Sequence, residues 1–374
     1  MRHIIALLSS LLAAIAIMYL PSTWPAIAAS TSSLFASQSL VAVACPAGGA
    51  CTVVADAYDA SQGSWQAATI WRTTNDGSTW RLQWGAAHIY LADVTCPSVS
   101  VCVAVGQHQS GTYGWHRAIY RTTDGGTHWR EAVIRGDGVL TNVALTAVAC
   151  PSTTRCYAAG TGNEKHGGRA VVTGAIYHLG SGAAWSLVRA GHTEFAALAC
   201  PGATTCYAAG TVNTRGAALL ATTNGFVSSH EHDFKGDGYS VGGITCFASR
   251  ACDLALWYTD QTGKLGKDFA EILVTKDGGS SWRSSYRTSK TAYLGSLTCR
   301  GERTCFALSS GVVLRSTNSG GTWRGVHTIG QKLADIACTS ARACLVVGYR
   351  DDNGAAVLLR TASMGQHWEQ LLPA

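Results

Sequence analysis

Fourteen cysteines fall in this chain as seven pairs of one spacing, C-x5-C: Cys45/Cys51, Cys96/Cys102, Cys150/Cys156, Cys200/Cys206, Cys246/Cys252, Cys299/Cys305 and Cys338/Cys344. None is left over. Their first members lie 51, 54, 50, 46, 53 and 39 residues apart. A unit of about fifty residues that recurs seven times is a repeat architecture, in which each unit buries its apolar face against its neighbours. The 374 residues would by length alone permit two or three domains, and the repeat makes them one array instead.

The segments before each first cysteine are alike. Leu40-Val-Ala-Val-Ala-Cys45, Leu91-Ala-Asp-Val-Thr-Cys96 and Leu333-Ala-Asp-Ile-Ala-Cys338 alternate a large apolar residue with small ones. That is strand periodicity, with small side chains where space is short. A turn and a second strand follow, as in Cys156-Tyr-Ala-Ala-Gly160, so each cysteine pair reads as a bridge across the base of a hairpin. A variable loop, a third strand and a Trp-containing fourth strand complete the unit. Four antiparallel strands repeated seven times predict an all-β chain, a seven-bladed β-propeller with one bridge per blade. The small-residue strand is expected innermost and the Trp strand outermost.

The turn between the third and fourth strands carries a second signature. It reads Thr73-Thr-Asn75-Asp-Gly77-Ser-Thr-Trp80, then Thr122-Thr-Asp124-Gly-Gly126-Thr-His-Trp129. Later copies hold Asp277, Gly279 and Trp282, then Asn318, Gly320 and Trp323, then Ser363, Gly365 and Trp368. The pattern resembles the Asp-box of the BNR repeat family. Asp or Asn caps backbone N–H groups, Gly supplies a positive φ and Trp covers the blade core. The third copy keeps Trp185 without the acid, and the fourth, Thr222-Thr-Asn224-Gly-Phe226, keeps the capping residue and loses the rest. The resemblance spans residues 39–372 and implies the propeller fold. It implies no single function, because similar propellers include sialidases and other glycosidases, sortilin-type receptors and photosystem assembly factors.

The first 28 residues read as a secretory signal: a positive Met1-Arg2-His3, an apolar stretch from Ile4 to Leu20, and Ala26-Ile27-Ala28 as cleavage site. Its rival is an uncleaved anchor, since the apolar stretch almost spans a bilayer. Residues 29–38 form a short N-terminal segment. The folded part is therefore expected outside the cytoplasm, secreted or at the cell surface, where disulfides persist. A net charge of +6 without a Lys/Arg run gives no nucleic-acid footprint.

Zinc sites use C-x2-4-C and redox motifs C-x-x-C. Neither spacing occurs, so the cysteines are read as structural, with no metal and no cofactor. Arg72, Arg121, Arg315 and Arg360 recur at equivalent places before the turn, which argues for structural edge positions. His230-Glu-His232-Asp233 reads as an exposed polar strand in preference to a metal site. The sialidase reading lacks the Arg-Ile-Pro motif that the family carries. For two-carboxylate glycosidase chemistry the sequence offers only Asp93, Glu194, Asp335 and Asp351, taken as loop acids without supporting context. Binding is expected instead on the face opposite the cysteine hairpins, where loops vary and carry Trp65, Tyr113, Trp115, His116, Arg169, Trp257, Tyr258, Tyr293 and Arg350. The expected role is a non-catalytic scaffold for a protein or glycan. A glycoside hydrolase and a photosystem-assembly-like chaperone are the alternatives. Closure of the ring is expected without strand exchange, unless Ser32–Ser37 pairs onto the last blade.

Overall fold

A computed structural model describes residue 35 and residues 38–59, 64–110, 114–135, 140–166, 169–180, 184–212, 216–236, 238–260, 268–289, 293–301, 303–350 and 353–372. Among these no residue is helical, and no helix is long and apolar enough to cross a membrane.

Seven antiparallel sheets follow one another along the chain. Blade 1 is β1 (Ser39–Ala44), β2 (Cys51–Asp59), β3 (Ser64–Thr73) and β4 (Arg81–Ala87). Blade 2 is β5 (Ile89–Thr95), β6 (Cys102–Ser110), β7 (Gly114–Thr122) and β8 (Arg130–Glu131). The strand β9 (Val133–Arg135) then leaves for the next blade, which holds β10 (Leu140–Ser152), β11 (Arg155–His166), β12 (Arg169–Leu179) and β13 (Ala184–Gly191). Blade 4 is β14 (Thr193–Ala199), β15 (Cys206–Val212), β16 (Gly216–Thr222) and β17 (His230–Lys235). Blade 5 is β18 (Tyr239–Ala248), β19 (Ala251–Tyr258), β20 (Phe269–Thr275) and β21 (Arg283–Thr288). Blade 6 is β22 (Leu297–Arg300), β23 (Thr304–Ser309), β24 (Val312–Ser316) and β25 (Arg324–Thr328). Blade 7 is β26 (Lys332–Cys338), β27 (Cys344–Tyr349), β28 (Ala356–Thr361) and β29 (Glu369–Gln370).

The first strands touch in sequence around the ring, and β26 meets β1 to close it. Every blade is built from one continuous stretch of chain, so the ring closes by packing. Of the segment before β1 the structure describes Phe35 and Gln38, and Phe35 is buried with Trp71 and Trp80 of blade 1 and Leu345, Val347 and Leu358 of blade 7. One feature departs from the four-strand expectation. β9 pairs in parallel with β13, giving blade 3 a fifth, outer strand. Blade 2 keeps only two residues of outer strand, so the chain is free to run on beside its neighbour.

The inner strands explain their own composition. Six of them carry a bulge after the large apolar residue, as between Leu40 and Ala42 or Leu333 and Asp335. The bulge pushes the chain against the second strand. There a Cβ on Gly106, Gly160, Gly210 or Gly348 would come within about 2 Å of a carbonyl oxygen of the first strand.

All seven cysteine pairs are disulfides, with Cα atoms 3.9 to 4.2 Å apart. Six of the bridged hairpins also hold the turn beside them. Backbone N–H groups of Asp76, Gly125, Gly225, Gly278, Ser319 and Met364 donate to carbonyls of Gly49, Ser100, Thr204, Arg250, Arg303 and Arg342. Inside the turn, Asn75 accepts from Thr79 N–H, Thr73 from Gly77 N–H, and Trp80 donates its indole N–H to Gly77. The fourth copy, which looked degenerate, keeps this pattern through Thr222 and Asn224. Phe226 takes the glycine's place there at φ 68°, a left-handed conformation that costs an ordinary residue about 1 kcal/mol.

The repeated arginines are clamps between blades. Arg72 donates to Val99 O, Arg121 to Thr153 O at 3.0 Å, Arg315 to Met364 O at 2.6 Å and Arg360 to Ser78 Oγ at 2.8 Å. Each acceptor lies on the following blade, and the last contact crosses the closure. Blades 3 and 4 use Tyr157 and Tyr207 instead, whose hydroxyls reach Ala203 O and Ser249 O.

Candidate functional site

The loop side of the ring has a readable register. Just before the large apolar residue of each inner strand stand Ser39, Tyr90, Ala144, Glu194, Ser240, Tyr293 and Lys332. Opposite them on the second strands are Asp56 (to Ser39), Gln107 (to Tyr90), Trp257 (to Ser240) and Tyr349 (to Lys332). This layer is the rim of the axial channel, and it is rich in aromatic groups on one side.

Tyr90 and Tyr349 belong to blades 2 and 7, with only Ser39 of blade 1 between them. The Tyr90 hydroxyl is pushed up to about 12 by burial and by the charges of Asp56 and Tyr349. Burial, with Tyr349 and Asp335 nearby, also raises Tyr293. Tyr293 as a residue is nevertheless 41% exposed. Trp257 packs on Tyr293 with ring centroids 5.0 Å apart, and the Lys332 ammonium lies 5.8 Å from the Tyr349 ring. Tyr258 turns to the other side of blade 5. There it meets Tyr239 at 5.3 Å and Phe269 at 5.1 Å, and the Arg287 guanidinium covers Phe269 at 3.6 Å.

One layer deeper the channel holds carboxylates. Asp93 and Asp335 are not loop acids: they sit on β5 and β26, again flanking blade 1. Both oxygens of each are engaged. Asp93 accepts from the N–H groups of Val94 and of Val148 on blade 3, each at 2.7 Å. Asp335 accepts from Ile336 N–H and from Val43 N–H of blade 1, both at 2.8 Å, and from the Ser296 hydroxyl of blade 6. They bind blade to blade at the point where the bulge frees a backbone N–H. Burial, then the neighbouring Asp335 charge, pushes Asp93 up to about 8. Burial raises Asp335 as well.

Two further acids are buried in the ring. Asp56 accepts from Leu91 N–H and is pushed up to about 8 by burial. Asp253, pushed up to about 7 by burial, stands after Cys252 where other blades carry Tyr157, Tyr207 or Phe306. The sequence reading missed both. Their signal was an acid in an otherwise apolar second strand. Asp253 with Cys299 and Cys305 is the one grouping of potential metal ligands among the described residues. The two sulfurs are joined to each other, so they offer no thiolate.

The remaining predicted residues divide. Trp115 and His116 lie on β7, Trp257 and Tyr258 on β19, and Trp65 and Arg169 on β3 and β12, all at strand ends. They were expected in loops, but the second and third strands are long enough to include them. His116 stacks on His108 across the strand pair at 5.5 Å, and His108 lies 3.9 Å from Glu131. Glu194 is half-buried on β14, and Arg350 begins a tight turn that Gly354 N–H closes. Tyr113 and Asp351 lie outside the described residues. The structure brings together Trp257, Tyr293 and, through Tyr349 and Tyr90, the channel mouth. Trp115, His116 and Arg350 do not join that group.

No known protein-family profile matches the chain, and no curated protein matches it in sequence. Solved structures do match its fold. Puromycin hydrolase is similar over 94% of this chain and 56% of its own, with a TM-score of 0.59 and 11% identity. The acylaminoacyl peptidase of Pyrococcus horikoshii matches over 92% and 54%, with a TM-score of 0.56 and 7% identity. The GH93 α-L-arabinofuranosidase of Fusarium graminearum, solved with arabinobiose, matches over 87% and 93%, with a TM-score of 0.50 and 10% identity. The chain spans about half the length of the first two. At such identities the likeness is one of fold, and the protein is of the seven-bladed β-propeller class, stapled by one disulfide in each blade. Seven disulfides with no free cysteine suit an oxidising, extracellular setting.

Proposed function

We propose that this protein is an exported, non-catalytic binding propeller that takes a glycan at the loop-side mouth of its channel. The leader in residues 1–28 would deliver it, and the disulfides would keep the ring rigid outside the cell. The observation that carries the reading is the rim of Trp257, Tyr293, Tyr349 and Tyr90 above carboxylates already held by backbone N–H groups. Aromatic faces with polar edges suit the mixed apolar and hydroxyl surface of a sugar. Asp93 and Asp335 serve as struts in this reading, since general acid and base work needs carboxylates open to the substrate.

The test is a glycan array on the purified, oxidised protein, with fluorogenic glycosides scored in the same wells. Saturable binding without turnover, weakened in Trp257→Ala, supports the proposal and names the sugar class. Turnover abolished by Asp93→Asn or Asp335→Asn would replace it with a glycosidase. Silence in both assays would remove the glycan and turn the search to protein partners.

A further inference from the structure

The residue that follows the second cysteine of each pair points at the bridge of the next blade. Val103 packs with Cys156, Tyr157 with Cys206, Tyr207 with Cys252, Phe306 with Cys344 and Leu345 with Cys51. Thr52 brings its hydroxyl to 3.6 Å from Cys102 Sγ. Blade 5 sets an acid there instead. Asp253 Oδ2 lies 3.9 Å from Cys299 Sγ, and a carboxyl oxygen and both sulfurs of the Cys299–Cys305 bridge fall within 4.8 Å of one another. The carboxyl is fully buried, and Gly320 in the blade 6 turn packs on it where a side chain would overlap it. Its Oδ1 has no hydrogen-bond partner. Arg283 on β21 is the charged group that acts on it.

Burial without a partner favours the protonated carboxyl, and this one faces a bond whose breaking releases a thiolate. We propose that Cys299–Cys305 is a thiol-exchange site, opened by a dithiol reductant with Asp253 as proton donor, while the other six bridges are staples only. A thiolate of the reductant attacks Cys299 Sγ, the half-buried sulfur. Cys305 Sγ, which is fully buried, leaves with the electron pair of the S–S bond. Asp253 hands it a proton and is reprotonated from solvent. The second thiolate of the reductant then attacks its own sulfur in the mixed disulfide and expels Cys299, which takes a proton from water. The dithiol ends as a disulfide and the bridge as two thiols. A thiolate leaves faster the better its charge is stabilised. Valine, leucine and phenylalanine offer no proton, and the Thr52 hydroxyl is too weak an acid to give one at neutral pH. The Tyr157 and Tyr207 hydroxyls already donate to carbonyls. The site lies between blades 5 and 6 and does not depend on the glycan reading.

The experiment is stepwise reduction of the intact oxidised protein by limiting dithiothreitol, with freed cysteines alkylated at intervals and mapped by mass spectrometry. Cys96, Cys150, Cys200 and Cys246 are half-buried like Cys299, so their bridges are controls of similar access. The Cys299–Cys305 bridge should open at least about tenfold faster than these controls, a conservative share of what a positioned acid contributes. Asp253→Asn should slow it to the rate of the controls and leave theirs unchanged. A merely structural role predicts the opposite sign, because a loosened interface would open the bridge faster. The wild-type advantage over the controls should also shrink from about pH 6 to about pH 8, as the carboxyl gives up its proton through a folded pKa of about 7. Opening of Cys299–Cys305 no sooner than the controls overturns the inference. So does Asp253→Asn opening it as fast as the wild type, or a wild-type advantage that stays constant with pH. If Asp253→Asn does not fold, as near-ultraviolet dichroism would show, the wild-type order of opening and its pH profile decide the matter.

Discussion

The buried acids give the ring a pH dependence opposite to that of an ordinary salt-bridged protein. Asp56 and Asp93 are pushed up to about 8 and Asp253 to about 7, and in each burial is the leading cause. Asp56 and Asp253 are fully buried. A carboxyl whose folded pKa lies above its unfolded value of 3.8 holds its proton longer in the native state. Its contribution is complete below the unfolded pKa and is lost as pH rises through the folded one. His178, His232 and His327 are lowered by burial, so below about pH 6.5 they give a slope of the other sign. The cleaner window is therefore pH 7 to 8, where the histidines are mostly neutral in both states. Across it each group with a folded pKa of about 8 should lose about 1 kcal/mol, less than the limiting 1.36 kcal/mol per pH unit because it begins to titrate within the window. Asp56 and Asp93 together should cost about 2 kcal/mol, a sizeable part of a typical domain's roughly 5–15 kcal/mol. Guanidinium unfolding of the oxidised protein at pH 7 and 8 measures the loss. Asp56→Asn should then recover about half of it at pH 8. A flat or rising stability across the window, or a variant with the wild-type slope, would refute the reasoning.

Other perturbations reach other parts of the structure. Replacing Cys45 and Cys51 together by alanine should cost about 2 kcal/mol, the chain-entropy value for a short closed loop, read as a lower unfolding midpoint with unchanged slope. Gly365→Ala should cost more than Gly48→Ala. Both have positive φ, but a Cβ at residue 365 meets Phe306 at 2.7 Å and one at residue 48 meets nothing within 4 Å. Thermal melts should separate them by about 1–3 kcal/mol. Arg360→Ala removes a side-chain contact across the closure and should cost about 1 kcal/mol. Hydrogen exchange should rise first in β1 and β28, and uniform exchange around the ring would contradict the closure role.

Much of the fold was legible because its causes are local. C-x5-C at fixed intervals marks each first hairpin, and alternating small residues mark each inner strand. The Asn or Asp turn with its trailing Trp marks each outer one. Equivalent arginines were readable as structural edge positions, and the clamps to the next blade are what they do. The site was less legible. Asp93 and Asp335 looked like stray acids in small-residue segments. Nothing local says that a bulge frees a backbone N–H on the next blade for each of them. Tyr90 and Tyr349 are 259 positions apart, the difference of their numbers, and were not singled out. The capture of β9 by blade 3 also had no sequence mark, because three residues of outer strand can pair with whichever sheet edge is free.

By itself the sequence determined the number of blades, the four strands of each, their order from axis to rim and the covalent staples. All of these follow from periodicity and turn chemistry within about fifty residues. Only the tertiary structure decided which side chains meet at the channel mouth and which acids serve as struts between blades. Those outcomes depend on the identity of one residue beside its counterpart on the next blade. Closing the ring brings such pairs together, and their separation along the chain carries no trace of it.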